Sequence, residues 1–114
     1  MKLLTFTVIS LLFSLYSSAQ VLWDGGGDGT SWDDPLNWQG DIVPVPTDDV
    51  VLDNSIFTTY YEVSLPAGAV TVFINSLTIT PGIGENILLT IPATNTASPG
   101  LSITGAGDAL ILDN

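Results

Sequence analysis

The chain has no cysteine, no histidine and no arginine, and Lys2 is its only cationic side chain. Each absence excludes something. Without cysteine there is no disulfide, no thiolate metal site and no cysteine-borne lipid anchor, so stability has to come from packing and backbone pairing. Without lysine or arginine beyond Lys2, binding to nucleic acid by phosphate neutralisation is excluded, and docking on an anionic bilayer is disfavoured. Acid–base chemistry would fall to carboxylates alone. Helical periodicity is missing after residue 20 as well, and 11 glycines and 7 prolines punctuate the chain too often for a long helix.

What is present begins with an address. Lys2 supplies a positive start, Leu3 to Tyr16 form an apolar run, and Ser17, Ser18 and Ala19 supply small residues. This is the pattern of a secretory signal peptide over residues 1–19, cleaved between Ala19 and Gln20. The run is shorter than the ~20 residues of a spanning helix. The sequence therefore places the protein outside the cell or on its outer surface, with no membrane span in the mature chain. Loss of Lys2 with the leader leaves the 12 Asp and Glu residues without a cationic side chain among them. Such a surface favours solubility and attracts cations.

The remainder reads as all-β. Val50 to Leu52 is a short apolar run, and Tyr61, Val63 and Leu65 alternate with Glu62 and Ser64. Val70 to Ile74, Leu77 to Ile79, Ile87 to Ile91, Leu101 to Ile103 and Leu110 to Leu112 follow, parted by turn residues such as Pro81-Gly82 and Pro99-Gly100. The triplets Leu77-Thr78-Ile79, Leu89-Thr90-Ile91 and Leu101-Ser102-Ile103 recur at a spacing of twelve residues, which Leu110-Ile111-Leu112 breaks. Leu77, Ile79, Leu89, Ile91, Leu101 and Ile103 are expected to point inward, because side chains in a strand alternate. Strands this short suit the start of a right-handed parallel β-helix, with a small β-sandwich as the alternative. The expected organisation is a cap and lead-in over residues 20–54 and the first solenoid turns over 55–114. The strand at the very end of the chain suggests a piece of something longer.

The densest stretch is WDGGGDGTSWDDPLNW, residues 23–38, with three tryptophans and four aspartates. As an EF-hand loop it fails, because Gly26 and Pro35 stand where carboxylates are required. A looser oxygen cage from Asp24, Asp28, Asp33 or Asp34 is weighed against turn carboxylates that bond backbone N–H groups, and the latter is preferred. Asp48 and Asp49 are read the same way. Trp23, Trp32 and Trp38 are candidate glycan-binding residues, since exposed indole faces stack on sugar rings. The favoured reading makes them the lid of a stacked β core. Nothing in the sequence supports a facing pair of carboxylates such as glycoside hydrolysis needs, since Asp33-Asp34 and Asp48-Asp49 are neighbours whose side chains would diverge in an extended chain. The chain is thus read as non-enzymatic, with no catalytic residue, metal or cofactor assigned.

The opening W-D-G-G-G-D-G-T-S-W-D-D-P-L-N-W, then V-P-x-P-T-D-D-V-V-L, then S-L-T-I-T-P-G, resembles the N-terminal region of large secreted adhesin-like β-helix proteins of Bacteroidetes, often exported by the type IX route. The resemblance spans residues 21 to 114. It implies a structural or adhesive segment whose partners are surface glycans or other cell-surface proteins, and a cap role for Trp23, Trp32, Trp38, Asp48 and Asp49. The alternative is a carbohydrate-binding module using Trp23, Trp32 and Trp38.

Overall fold

The computed structural model describes residues 20–113. The expected leader, residues 1–19, lies outside them. The described chain is almost wholly β: β1 (Gln20–Leu22), β2 (Asp49–Asp53), β3 (Tyr61–Ser64), β4 (Val72–Ile74), β5 (Ser76–Thr80), β6 (Ile87–Thr90), β7 (Leu101–Ile103) and β8 (Leu110–Leu112), with one 3-10 turn at Pro35–Asn37. Among the described residues no helix is long and apolar enough to cross a membrane.

All the strand pairs are parallel. One sheet has the order β1-β2-β5-β8, and two others are β3-β6 and β4-β7. The chain therefore winds over three faces in turn and returns to the first, making a β-solenoid of about three turns. A sandwich, whose sheets are antiparallel, does not fit this pairing.

The register gives the repeated triplets their meaning. Val50 lies opposite Leu77, and Leu77 opposite Leu110. Val63 lies opposite Leu89, and Val72 opposite Leu101. Leu77-Thr78-Ile79, Leu89-Thr90 and Leu101-Ser102-Ile103 thus belong to β5, β6 and β7, three successive faces of one turn. The twelve-residue interval is the step from face to face, and a full turn takes more than twice as many residues. β8 breaks the count because it opens the next turn.

Alternation places one row of each strand in the core. Tyr61, Val63 and Leu65 are buried, as are Val50, Leu52, Val72, Ile74 and Leu77. Ile79, Leu89, Leu101 and Ile103 pack against that cluster and are partly buried. Ile91 corrects the expectation, being 55% exposed. β6 ends at Thr90, one residue short of it. The Leu65 N–H donates to Thr90 O at 2.9 Å, and Leu65 sits one residue beyond a strand in the preceding turn just as Ile91 does. Leu65 is shielded by the turns on both sides of it, whereas no described residue stacks on Ile91 in the same way.

Asparagines hold the corners. Asn54 Nδ2 donates to Phe57 O and Thr59 O, and its Oδ1 accepts from Gly82 N in the next turn at 2.8 Å. Asn95 Nδ2 reaches back to Pro66 O at 2.7 Å and Val70 O at 3.0 Å. Asn75 forms the one-residue corner between β4 and β5, and its O accepts from Gly105 N at 2.7 Å. Gly105 is required there, because a Cβ would lie 2.3 Å from that oxygen. Corner backbone groups cannot join a ladder, and the short amide side chain supplies the missing partners.

Candidate functional site

The Trp/Asp/Gly loop closes the first end of the solenoid. Trp23, Trp32 and Trp38 are 0%, 1% and 0% exposed. Trp32 packs edgewise on Trp38 (centroids 4.8 Å), Trp38 edgewise on Trp23 (4.9 Å), Trp23 lies flat on Tyr61 (6.0 Å), and Tyr61 meets Phe57 edgewise (5.5 Å). Such ring pairs add about 0.5–1.5 kcal/mol each beyond their area. The Trp38 Nε1–H donates to Trp32 O at 2.7 Å. The Trp23 Nε1–H is buried without a hydrogen-bond partner, at a desolvation cost of about 1–3 kcal/mol. Stacking on a sugar needs an open ring face, whereas here Trp32 and Trp38 pack on each other, Trp38 on Trp23, and Trp23 on Tyr61.

The same loop shields the edge of the first sheet. Residues 37–39 run back along the outer side of β1, with Trp23 bridged antiparallel to Trp38. Gln39 N donates to Leu22 O, and Asp24 N and Gly25 N both donate to Asn37 O.

Asn37 organises the loop, and it is fully buried. Its Oδ1 accepts from Gly27 N at 3.0 Å and Gly29 N at 2.8 Å. Its Nδ2 donates to Asp28 Oδ1 at 2.8 Å and Ser31 O at 2.9 Å. Two acceptances and two donations exhaust the amide. Asp28 takes the Ser31 hydroxyl at 2.5 Å and the N–H groups of Ser31 and Thr30 at 2.8 and 2.9 Å. Those bonds, the hydroxyl first, hold its carboxyl well below the usual carboxylate range. Asp34 caps the 3-10 turn through Leu36 N and also accepts from Asp28 N at 2.9 Å. Asp24 accepts from Gly26 N at 3.0 Å. Among the described residues no three carboxylates converge as a metal cage would need. Three of the four loop aspartates are turned to backbone N–H groups.

Asp48 and Asp49 differ from each other. Asp48 is buried and accepts from Val45 N at 2.8 Å, closing the turn in which Asp48 N donates to Val45 O at 3.0 Å. Asp49 reaches across to the next turn, where Asn75 Nδ2 and Ser76 Oγ donate to it at 2.7 and 2.6 Å. The turn role expected of the pair holds for Asp48, and Asp49 ties two turns together. Within one turn, the Tyr61 hydroxyl donates to Asp53 O at 2.9 Å, joining β2 to β3. Burial first, and then the Asp53 charge, push its pKa up.

An apolar slot lies beside the cap and was not foreseen. It holds about 330 Å³ between Val43, Pro44, Val45 and Pro46 on one wall and Pro66 and Val70 to Phe73 on the other, with Trp32 and Asp33 at its end. Trp32 is the one cap indole that borders it, with almost no surface to offer. The sequence signal lies in the V-P-V-P run of residues 43–46, which falls within the expected lead-in. The chain matches no family model, no curated protein and no solved structure.

Proposed function

We propose that this chain is a non-catalytic structural or adhesive segment of a secreted or cell-surface protein, forming the sealed first turns of a β-solenoid. The observation that carries this reading is how the aromatic residues are used. Three tryptophans and a saturated asparagine close one end of a stack of parallel strands, which is what a stacked core needs to stay soluble at its start.

Two measurements test it. Mass spectrometry of exported protein should find a chain that starts at Gln20, and an intact Met1 removes the secretory argument. Beads carrying the exported chain should be retained on cell surfaces if the segment is adhesive. If it is purely structural they wash off, and only the stalk role survives. The carbohydrate-binding alternative has its own readout: glycans that shift tryptophan emission would restore it, whereas packed indoles emit blue-shifted light and ignore added sugar.

A further inference from the structure

The slot beside the cap is a gap in the third face. Asp49 is in register with Ser76, and Asn75 N donates to Asp48 O at 2.9 Å, so Val45 to Asp48 occupies the place in the first turn that β4 occupies in the second. No strand forms there, because the segment folds into the turn closed by Asp48 and because Pro44 and Pro46 have no N–H to donate. β4 is therefore paired on one side only, with β7. Val72 N donates to Gly100 O, and Ile74 O accepts from Thr104 N. Backbone groups alternate sides along a strand, so the N–H and C=O of Phe73 face away from β7, toward the slot.

Three features of this place point to one kind of occupant. The free edge offers a donor and an acceptor on a single strand. The walls are apolar, with Val45 47%, Val70 44% and Phe73 48% exposed. The polar side chains lining the slot are Asp33, exposed at its end, and Thr71, whose hydroxyl is already spent on Pro99 O. The charged side chain that lines it is Asp33, and residues 20–114 carry 12 carboxylates and no cationic side chain. We propose that the slot binds an extended segment of another protein as an added strand on β4, apolar at alternate positions and carrying a lysine or arginine at its flank. Main-chain bonds supply affinity in this mode, and side-chain pockets with complementary charge supply selectivity. The biological purpose of the slot rests on the adhesive reading above, but its chemistry does not.

The test uses a short peptide of alternating valine and threonine with lysines at both ends, followed by fluorescence anisotropy against the exported chain. Binding should weaken about tenfold or more when glutamates replace the lysines or when the peptide backbone is N-methylated on one edge, each a loss of a contact made by the slot. Phe73→Pro should abolish it, since that change removes the slot-facing donor while leaving the bonds of Val72 and Ile74 to β7. Val70→Lys, at an exposed position where Asn95 uses the backbone O and not the side chain, should weaken it with an unchanged melting transition. It keeps the test valid if Phe73→Pro unfolds. Binding unaffected by Val70→Lys, or equal for both peptide charges, overturns the proposal, as does a glycan that occupies the slot in the peptide's place. A chain that holds the peptide in a Phe73-dependent way yet leaves beads unattached to cells supports the slot and overturns adhesion. Bead retention that survives both variants places adhesion on another surface.

Discussion

The first and last described strands of this solenoid are finished in opposite ways. At the first end, β1 is covered by residues 37–39, and the core beyond it is plugged by Trp23, Trp32 and Trp38. At the other end, Leu110, Ile111 and Leu112 of β8 are 53%, 43% and 70% exposed, and no described strand lies on their outer side. Burial falls steadily between the two: Val63 is fully buried, Leu89 opposite it only partly, and β8 is exposed throughout. A stacked core therefore has a stability gradient written along its axis. An identical change should cost most near the cap and least at β8.

The largest effect expected is at the cap. Trp38→Ala leaves a cavity between Trp23 and Trp32, the two rings packed on it, and should cost about 3–5 kcal/mol. Leu112→Ala, at the exposed end, should stay within about 0.5 kcal/mol. Denaturant unfolding followed by far-UV dichroism compares the two, and near-equal losses would remove the gradient. Asn37→Asp comes next. It turns two donors into acceptors against Asp28 and Ser31 O, and should cost about 2–4 kcal/mol by leaving buried partners unsatisfied. Within the stack, Val63→Ala should cost about 2–3 kcal/mol and Leu89→Ala about 1 kcal/mol, since both occupy one inward register position at different depths. Leu89→Asp should still exceed Thr90→Asp, because the former puts a charge against the core. The latter is not free, since Thr90 Oγ1 donates to Glu62 Oε1 at 2.9 Å and an aspartate there would repel it.

How much of this could be read beforehand depends on how local each cause is. Strand alternation at Tyr61, Val63 and Leu65 is local, and so is the hydrophobicity that sends Trp23, Trp32 and Trp38 inward. Both were legible. Asn37 was not, because its role is set by four partners spread over Gly27, Asp28, Gly29 and Ser31, which only the folded loop brings to one amide. Spacing also misled in part: a regular interval of twelve does not say whether it counts faces or turns. That is decided by which strands pair. Ile91 failed for a related reason, since alternation fixes a direction and burial needs a neighbour. The slot was hidden because its cause is negative, two prolines where a strand would otherwise form.

Acid should act on the cap before the stack. The Asp28 carboxyl is held well below its ordinary value of 3.8 by donors from Ser31, Thr30 and Asn37. Its folded-state pKa is depressed, so its contribution is complete above the unfolded value and is lost as pH falls through and below that value toward the folded one. Stability should therefore be flat in this respect near neutrality and drop below about pH 4. Asp28→Asn should lower stability at neutral pH and flatten that acid limb. A variant with the wild-type acid slope would place the titrating group elsewhere. Because Asp28 is exposed, salt and water moderate the effect, and it ranks below the cavity and network changes.

The smallest effect on stability, and the sharpest on behaviour, belongs to β8. Leu77 N donates to Ala109 O and Asp113 N donates to Ile79 O, so the intervening ladder bonds use the N–H and C=O of Ile111. By the same alternation, the N–H and C=O groups of Leu110 and Leu112 face outward. An apolar strand with a free row of donors and acceptors pairs with another copy. What opposes this is charge: residues 20–114 bring 12 carboxylates and no cationic side chain to the encounter. Salt screens that repulsion, since the Debye length falls from ~30 Å at 0.01 M to ~8 Å at physiological strength. Residues 20–114 taken alone should thus remain dispersed in dilute buffer and associate as salt rises, as read by light scattering. Leu112→Pro removes an outward donor and no ladder bond, so it should hold the chain dispersed across the salt series while its melting point barely moves. Association that persists in Leu112→Pro but vanishes in Phe73→Pro would move the sticky edge from β8 to the slot. The cap would then adjoin the reactive end of the molecule, and the comparison between the two ends would be reversed.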